Sequence, residues 1–391
     1  MSWPVVKLGD VAERVDYGLT ASAKEDNEGP RFLRITDMQD DAVDWSTVPS
    51  CECSEKEFKE NELSVGDIVF ARTGATTGKS FLIRHLPRPS VFASYLIRVR
   101  PTDEVDSKYL AYFFKSPQYW FQITAMAEGA AQPGVNSSKL KELEIPLPPL
   151  PEQKRIAAIL DKADAIRRKR QQAIQLADDF LRAVFLDMFG DPVTNPKGWE
   201  LKTLGELCTK ITDGEHGTVK RLESGRLYLM ARNIDRKGNL DLSDVSYISE
   251  ADHQRIYKRC GPEKGDVLLV CVGATIGKAL VVPDIGEFSL ARSVALLKPG
   301  KEIVSEYLLS LINTDALQRQ FVSSGNSSAQ AGLYLGKIKE IMVPVPGLKE
   351  QLRFKEIVNF VKEKFSSKIN GGNLESDFVL SLSQKAFSGQ L

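Results

Sequence analysis

The chain repeats itself with a shift of about 198 residues, so any fold it adopts must hold two copies of one unit. Val6-Lys-Leu-Gly-Asp10 pairs with Lys202-Thr-Leu-Gly-Glu206, and Arg34-Ile-Thr-Asp37 with Arg232-Asn-Ile-Asp235. The segment GDIVFARTGATTGKS from Gly66 matches GDVLLVCVGATIGKA from Gly265. Lys108-Tyr109-Leu110 matches Glu306-Tyr307-Leu308, and Gln132-Pro-Gly134 matches Gln330-Ala-Gly332. KLKELEIPLP from Lys139 matches KIKEIMVPVP from Lys337, and Glu152-Gln153 matches Glu350-Gln351. The tail follows, with Phe180 against Phe378 and Phe189 against Phe387. Chance similarity of single motifs cannot keep that order. A period near 200 residues is too long for a solenoid. Each copy is therefore a domain with an appended element.

The globular parts are expected at 1–148 and 193–346, the helical additions at 149–192 and 347–391, and the fold class is α+β. Asp67 to Arg72, a Gly-rich tip and Ser80 to Arg84 read as a β-hairpin, as do Asp266 to Cys271 and Ala279 to Val282. Segments 107–126 and 305–322 carry Tyr, Leu and Phe at helical spacing. A proline-rich passage closes each globular part, at Ile145 to Pro151 and at Val343 to Leu348. From 152 to 189 apolar residues fall at steps of three and four, the pattern of a long amphipathic helix spanning over 50 Å. Gly190-Asp-Pro192 stops it. The second helix starts with Phe354, Ile357, Val361 and Phe365 on one face. A break is expected at Asn370-Gly-Gly-Asn373, with a further helix from about 374 to 388.

Composition excludes several classes. Lys plus Arg and Asp plus Glu are each 52, so net charge is zero. That argues against indiscriminate coating of DNA, which rests on phosphate neutralisation, but not against a sequence reader with local basic patches. No apolar run suits a membrane helix, the start lacks a signal pattern, and the five scattered cysteines read as reduced thiols. A cytoplasmic protein without a metal is expected. Gly74 to Ser80 looks like a phosphate-binding loop, but only three residues separate its glycines where four are required. The copy at Gly273 ends in Ala279, without the hydroxyl. His85, His216 and His253 lie outside any triad pattern, and Asn195-Pro-Lys-Gly198 lacks the second proline and aromatic of an adenine-methyltransferase loop.

The repeated Gly-Ala-Thr-x-Gly-Lys hairpins at 74–79 and 273–278, the Gln132-Pro-Gly passage, PLPPLPEQKRIA at 146–157 and Gln384 to Gly389 carry a resemblance over the whole chain. It resembles the specificity subunits of type I restriction-modification systems. The resemblance implies two similar target-recognition domains, each reading half of a split, asymmetric site on double-stranded DNA. It implies two antiparallel, coiled-coil-like helices that separate the domains and bind two modification (methyltransferase) subunits, which restriction subunits can join. The chain itself then needs no cofactor; S-adenosylmethionine and ATP belong to the partners. Within that frame the candidate DNA contacts are Arg34, Arg72, Thr73, Lys79, Ser94, Tyr95, Gln132, Asn136 and Ser137 in the first domain. In the second they are Arg232, Asn233, Lys278, Arg292, Ser293, Gln330 and Tyr334. For the arginines, surface solubility competes with this reading; for Tyr95 and Tyr334, core packing comes first. The run Arg167-Arg-Lys-Arg170 reads first as a solvated face and second as a DNA contact. Ile156, Ile159, Leu160, Phe180, Phe354, Ile357, Phe378 and Phe387 are the expected subunit-contact residues. Two other classes compete: a nucleotide-using enzyme built on the hairpins, and a coiled-coil scaffold without DNA contact.

Overall fold

A computed structural model describes residues 3–25, 28–39, 41–127, 134–235, 238–325, 332–369 and 372–391, with side chains at 75, 127, 324–325, 365–369 and 372–379 outside the description. The chain forms two compact units. One contains 1–171 with 370–391; the other contains 172–369.

In the first unit the main sheet is antiparallel, in the order Ala12–Tyr17, Leu96–Pro101, Ile68–Ala71, Ser80–Leu82. Ile68–Ala71 is buried at every position. Its side chains alternate between two cores, because successive residues of a strand point to opposite faces. Ile68 and Phe70 join Ile97 and Val99 beneath the helices. Val69 joins Leu33, Phe92 and Leu96 beneath a second sheet. That sheet pairs Ser90–Phe92 parallel to Arg31–Leu33. The second unit repeats the plan, with Cys208–Asp213, Val294–Pro299, Val267–Val270 and Ala279–Val281 in order. Val267 and Leu269 face one core, and Leu268 and Val270 the other. Both predicted hairpins are present. The segments with helical spacing each form two helices, Ser107–Phe113 and Pro117–Ala127 in the first unit and Ser305–Ile312 and Asp315–Gly325 in the second. The Ser116 hydroxyl accepts the Tyr119 N–H at 3.2 Å, which starts the second helix afresh.

One sequence pairing is corrected. Leu33 and Leu229 hold the same place, since the N–H groups of Ala93 and Ala291 donate to their carbonyls, both at 2.9 Å. The shift in this region is therefore 196 residues, and Arg34 corresponds to Met230 rather than Arg232. Asp37 and Asn233 become partners, each closing a short turn by accepting a backbone N–H, from Arg34 at 2.8 Å and from Met230 at 3.0 Å.

The long helix runs Leu150–Phe189, 40 residues, starting two residues ahead of the expected 152. Pro151 fits its first turn, where a missing N–H costs nothing. Ile156, Ala157 and Leu160 enter the first unit's core, and Phe185 and Phe189 the second's. Leu348–Ile369 adds Phe354 and Val358 to the second core, and Gly372–Phe387 adds Ala386 and Phe387 to the first. The ring of Phe387 lies 5.2 Å from Tyr109, and that of Phe189 lies 4.8 Å from Tyr307. Two tryptophans 196 residues apart cap these helix ends: Trp3 donates to the Ala386 carbonyl at 3.1 Å, Trp199 to Phe189 at 3.0 Å. The compact units thus cut through both helical stretches, because the aromatic end of each stretch is buried in a different core from its start. The expected break at Asn370–Asn373 falls in part on 370–371, outside the described residues.

The subunit-contact reading is corrected for four residues. Ile156, Leu160, Phe354 and Phe387 are at most 3% exposed and belong to the chain's own cores. Ile159 and Ile357 are half-buried, Phe180 is 52% exposed, and the Phe378 side chain lies outside the description.

Candidate nucleic-acid interface

Four segments of each unit meet at one end of the main sheet. In the first unit they are 17–19, the hairpin 72–79, 93–95 and 134–137. Arg72 N–H donates to the Tyr95 carbonyl (3.2 Å), Val135 N–H to Arg72 (3.0 Å), and Ser94 N–H to Leu19 (2.9 Å). The second unit repeats these bonds: Cys271 to Ser293 (2.9 Å), Leu333 to Cys271 (2.7 Å), Arg292 to Glu215 (3.1 Å). Two glycines that sequence reading passed over make the approach possible. A Cβ at Gly18 would stand 2.1 Å from the Phe92 carbonyl oxygen, and one at Gly214 would stand 2.0 Å from that of Leu290. Asp16-Tyr-Gly18 against Thr212-Asp-Gly214 was the available signal.

The hairpin tip cannot cradle a nucleotide phosphate. Thr77, Gly78 and Lys79 spend their N–H groups on the carbonyls of Gly74 (3.1 Å), Ala71 (2.9 Å) and Thr76 (2.9 Å). Ile276, Gly277 and Lys278 do the same in the second copy. A phosphate loop needs those donors open, at the start of a helix; here a strand follows. Glycine is required at Gly74 and Gly78, where φ is +79° and +84°.

The sequence candidates separate by environment. Thr73, Lys79, Tyr95, Asn136, Arg232, Arg292 and Tyr334 are exposed. Tyr95 and Tyr334, at 65% and 60% exposure, overturn the expectation of core packing: Tyr95 stands on a turn and Tyr334 at the N-cap of the helix Leu335–Glu340, both outside the sheets. Arg72 is half-buried; its guanidinium lies 4.8 Å over the Tyr17 ring and donates to the Ser94 carbonyl at 3.3 Å. Burial works to raise the Tyr17 hydroxyl, but the Ser137 N–H it accepts and the Arg72 charge outweigh this and hold it below its ordinary value. Ser94 and Ser137 are half-buried; Ser293 accepts the Ala231 N–H at 3.3 Å. The Lys278 ammonium donates to the Ile234 carbonyl at 3.2 Å. Asn136 caps the helix Ser137–Lys141 by accepting the Lys139 N–H at 2.8 Å. Gln132 and Gln330 lie outside the described residues.

Two candidates are corrected. Asn233 is 1% exposed and its amide is consumed by the carbonyls of Asp241 (3.0 Å) and Asp244 (2.9 Å). Arg34 is folded onto Asp37 at 2.7 Å, a bond that raises its pKa and organises the turn. Arg232, shifted off the repeat, binds Ser246 at 2.9 Å and Asp244 at 3.1 Å. In the basic run, Arg167 and Arg168 both reach Asp164 at 2.7 Å, and Arg168 also reaches Asp41 at 2.8 Å.

His253 does lie beside a hydroxyl, that of Ser289 at 2.9 Å, with Glu287 at 3.4 Å behind it. Ser289 and His253 are both 0% exposed, so no substrate can reach them. All five cysteines are free thiols, and burial pushes Cys271 up to about 12. Among the described residues no group of three His, Cys, Asp or Glu side chains could hold a metal ion, and no helix is long and apolar enough to cross a membrane.

The type I restriction modification DNA specificity domain matches twice, over residues 1–176 and 196–371, which coincide with the two copies of the repeat. The chain belongs to that family. It is 27% identical over 331 residues to the EcoBI specificity subunit of Escherichia coli, covering 75% of this chain and 68% of that protein. It is 24% identical to the EcoKI specificity subunit of E. coli K12, covering 92% and 82%. The crystal structure of a type I restriction-modification S subunit from M. genitalium shares the fold, with a TM-score of 0.62 over 99% of this chain and 96% of that one, at 17% identity. The paired junctions are one backbone frame carrying two different sets of side chains.

Proposed function

We propose that this chain is the sequence-reading subunit of a type I restriction-modification complex, recognising a split, asymmetric DNA site. One observation carries the reading. The two junctions share their backbone hydrogen bonds and close glycines, yet differ in the side chains they carry: Thr73 against Val272, the exposed Tyr95 against the half-buried Ser293, Asn136 against Tyr334. A conserved frame with variable side chains suits reading two unlike half-sites through base edges. The 40-residue helix, about 60 Å at 1.5 Å per residue, joins the units and suits a spacer.

The chemistry is assigned to partners. Two modification subunits, carrying S-adenosylmethionine, methylate adenine, and restriction subunits with ATP can be added, all in the cytoplasm where the DNA lies. This chain supplies recognition and no catalysis, in keeping with the closed hairpin tips and the buried His253. Exchanging residues 1–148 for those of another specificity subunit and mapping methyladenine in cells tests the reading. One half of the methylated motif should change. A change in both halves, or the same methylation without this chain, overturns it.

A further inference from the structure

Arg292 and Arg72 offer the same guanidinium chemistry at the two junctions in opposite states. Arg292 is exposed, and among the described residues its side chain makes no hydrogen bond or ion pair. Its backbone is nevertheless fixed. The N–H donates to the Glu215 carbonyl at 3.1 Å, and the carbonyl accepts the Cys271 thiol at 3.4 Å. Gly214 brings that strand in with no room for a side chain. A free fork on a rigid base is the geometry needed for two parallel bonds to one acceptor pair. Tyr334, 60% exposed, and Val272, 38% exposed, stand on the adjoining segments and offer a ring face and an apolar contact beside it.

In the first unit the position of Arg292 is held by Ser94. The guanidinium there comes from Arg72, at the place of Cys271, and it points inward. It packs on Tyr17 at 4.8 Å and donates to the Ser94 carbonyl at 3.3 Å, the same carbonyl position that the Cys271 thiol serves in the second unit. Arg72 thus does the work of a thiol and has lost its free fork. The exposed groups at the first junction are Thr73, Lys79, Tyr95 and Asn136, none of which is an arginine.

We infer that Arg292 reads a guanine in the half-site bound by the second domain, and that Arg72 positions its own junction without reading a base. Guanine presents O6 and N7 as paired acceptors in the major groove, the partner for which arginine is matched. The inference rests on the proposed function and narrows it to one base pair in one half-site.

The test uses the whole chain assembled with its modification subunits. Methyladenine is mapped in cells carrying wild type, Arg292→Ala, Arg292→Lys or Arg72→Ala. Binding is measured on duplexes altered one base pair at a time, over a range of salt. Arg292→Ala and Arg292→Lys should both weaken cognate binding by about 5- to 150-fold. Both should erase discrimination at a single G·C pair of the second domain's half-site and leave the other half intact. Arg72→Ala should weaken binding without erasing discrimination at any single base pair; loss of one G·C preference in the first domain's half-site makes Arg72 a reader and overturns its part of the inference. Equal weakening on all sequences, with a shallower salt slope, makes Arg292 a phosphate contact and overturns the inference. A split motif in wild type that Arg292→Ala leaves unaltered overturns the inference alone. A wild-type complex that methylates without sequence preference overturns the proposed function as well.

Discussion

Gln153 and Gln351 repeat in the sequence beside a glutamate, with nothing there to say what the amide does. In the structure each is at most 1% exposed and ties the start of its helix to the adjoining domain. Gln153 donates to the carbonyls of Pro148 (2.9 Å) and Glu104 (3.2 Å) and accepts the Asp106 N–H (2.9 Å). Gln351 does the same with Pro346 (2.8 Å), Glu302 (3.0 Å) and Val304 (2.8 Å). Asn233 belongs to this class rather than to the DNA surface. Asn233→Ala would orphan buried backbone groups and should destabilise the second unit by about 1–3 kcal/mol in chemical denaturation, whereas exposed Arg292→Ala should fall within about 0.5 kcal/mol of wild type. Asp161 is a pH-sensitive counterpart. Burial works to raise its pKa, but the Lys108 ammonium (2.8 Å), the Tyr112 hydroxyl (2.7 Å) and Arg84 outweigh this and lower it below 3.8. A depressed carboxylate stabilises the fold above its unfolded value and loses that contribution as pH falls through the folded one. Asp161→Asn should therefore lower the unfolding midpoint at neutral pH, and the gap to wild type should close in melts taken below about pH 4.

The hairpins show how an element is aimed. In the first, the buried Tyr119 hydroxyl donates to the Gly78 carbonyl at 2.6 Å. In the second, Gln318 reaches the Gly277 carbonyl at 2.9 Å from the matching helix. Tyr119 and Gln318 come from neighbouring repeat positions, so alignment by residue type cannot pair them. Tyr119→Phe keeps the ring and its neighbours Phe70 and Phe114 while orphaning the carbonyl. It should cost about 1–3 kcal/mol and speed amide exchange at Gly78 and Lys79, leaving Gly277 and Lys278 unchanged. Exchange that rises equally in both hairpins would mean that the bond does not hold the tip.

At the scale of the molecule, each core is completed by a helix end remote in sequence. Phe387 packs among Tyr109 and Phe113, with ring centroids 5.2 and 5.4 Å away, although it lies over 270 residues downstream. Phe387→Ala removes a buried ring and should cost the first unit about 3–5 kcal/mol. Phe189→Ala should do the same to the second unit, through Tyr307 and Phe354. Hydrogen exchange resolved by segment separates the two: protection at 107–113 should fall in the first variant and at 305–312 in the second. Loss at both places in either variant would contradict independent cores.

The duplication, the hairpins, the long helix and the family were legible in sequence because they rest on order, local periodicity and turn residues, which one strand of text carries. The division of that helix between two cores was not, since burial is decided by what arrives from elsewhere in the chain. Periodicity marked Ile156, Leu160, Phe354 and Phe387 as apolar but could not distinguish the chain's own core from a partner's surface. Residue type, within the frame of the resemblance, put Arg34, Arg72, Asn233 and Arg292 in one list, and the fold sorted them by available partners: Asp37 for one, Tyr17 and a carbonyl for another, three backbone groups for the third, solvent for the last. A side chain's type sets which bonds it can make. Only tertiary structure decides which of those bonds are already made, and therefore which groups remain free to meet DNA.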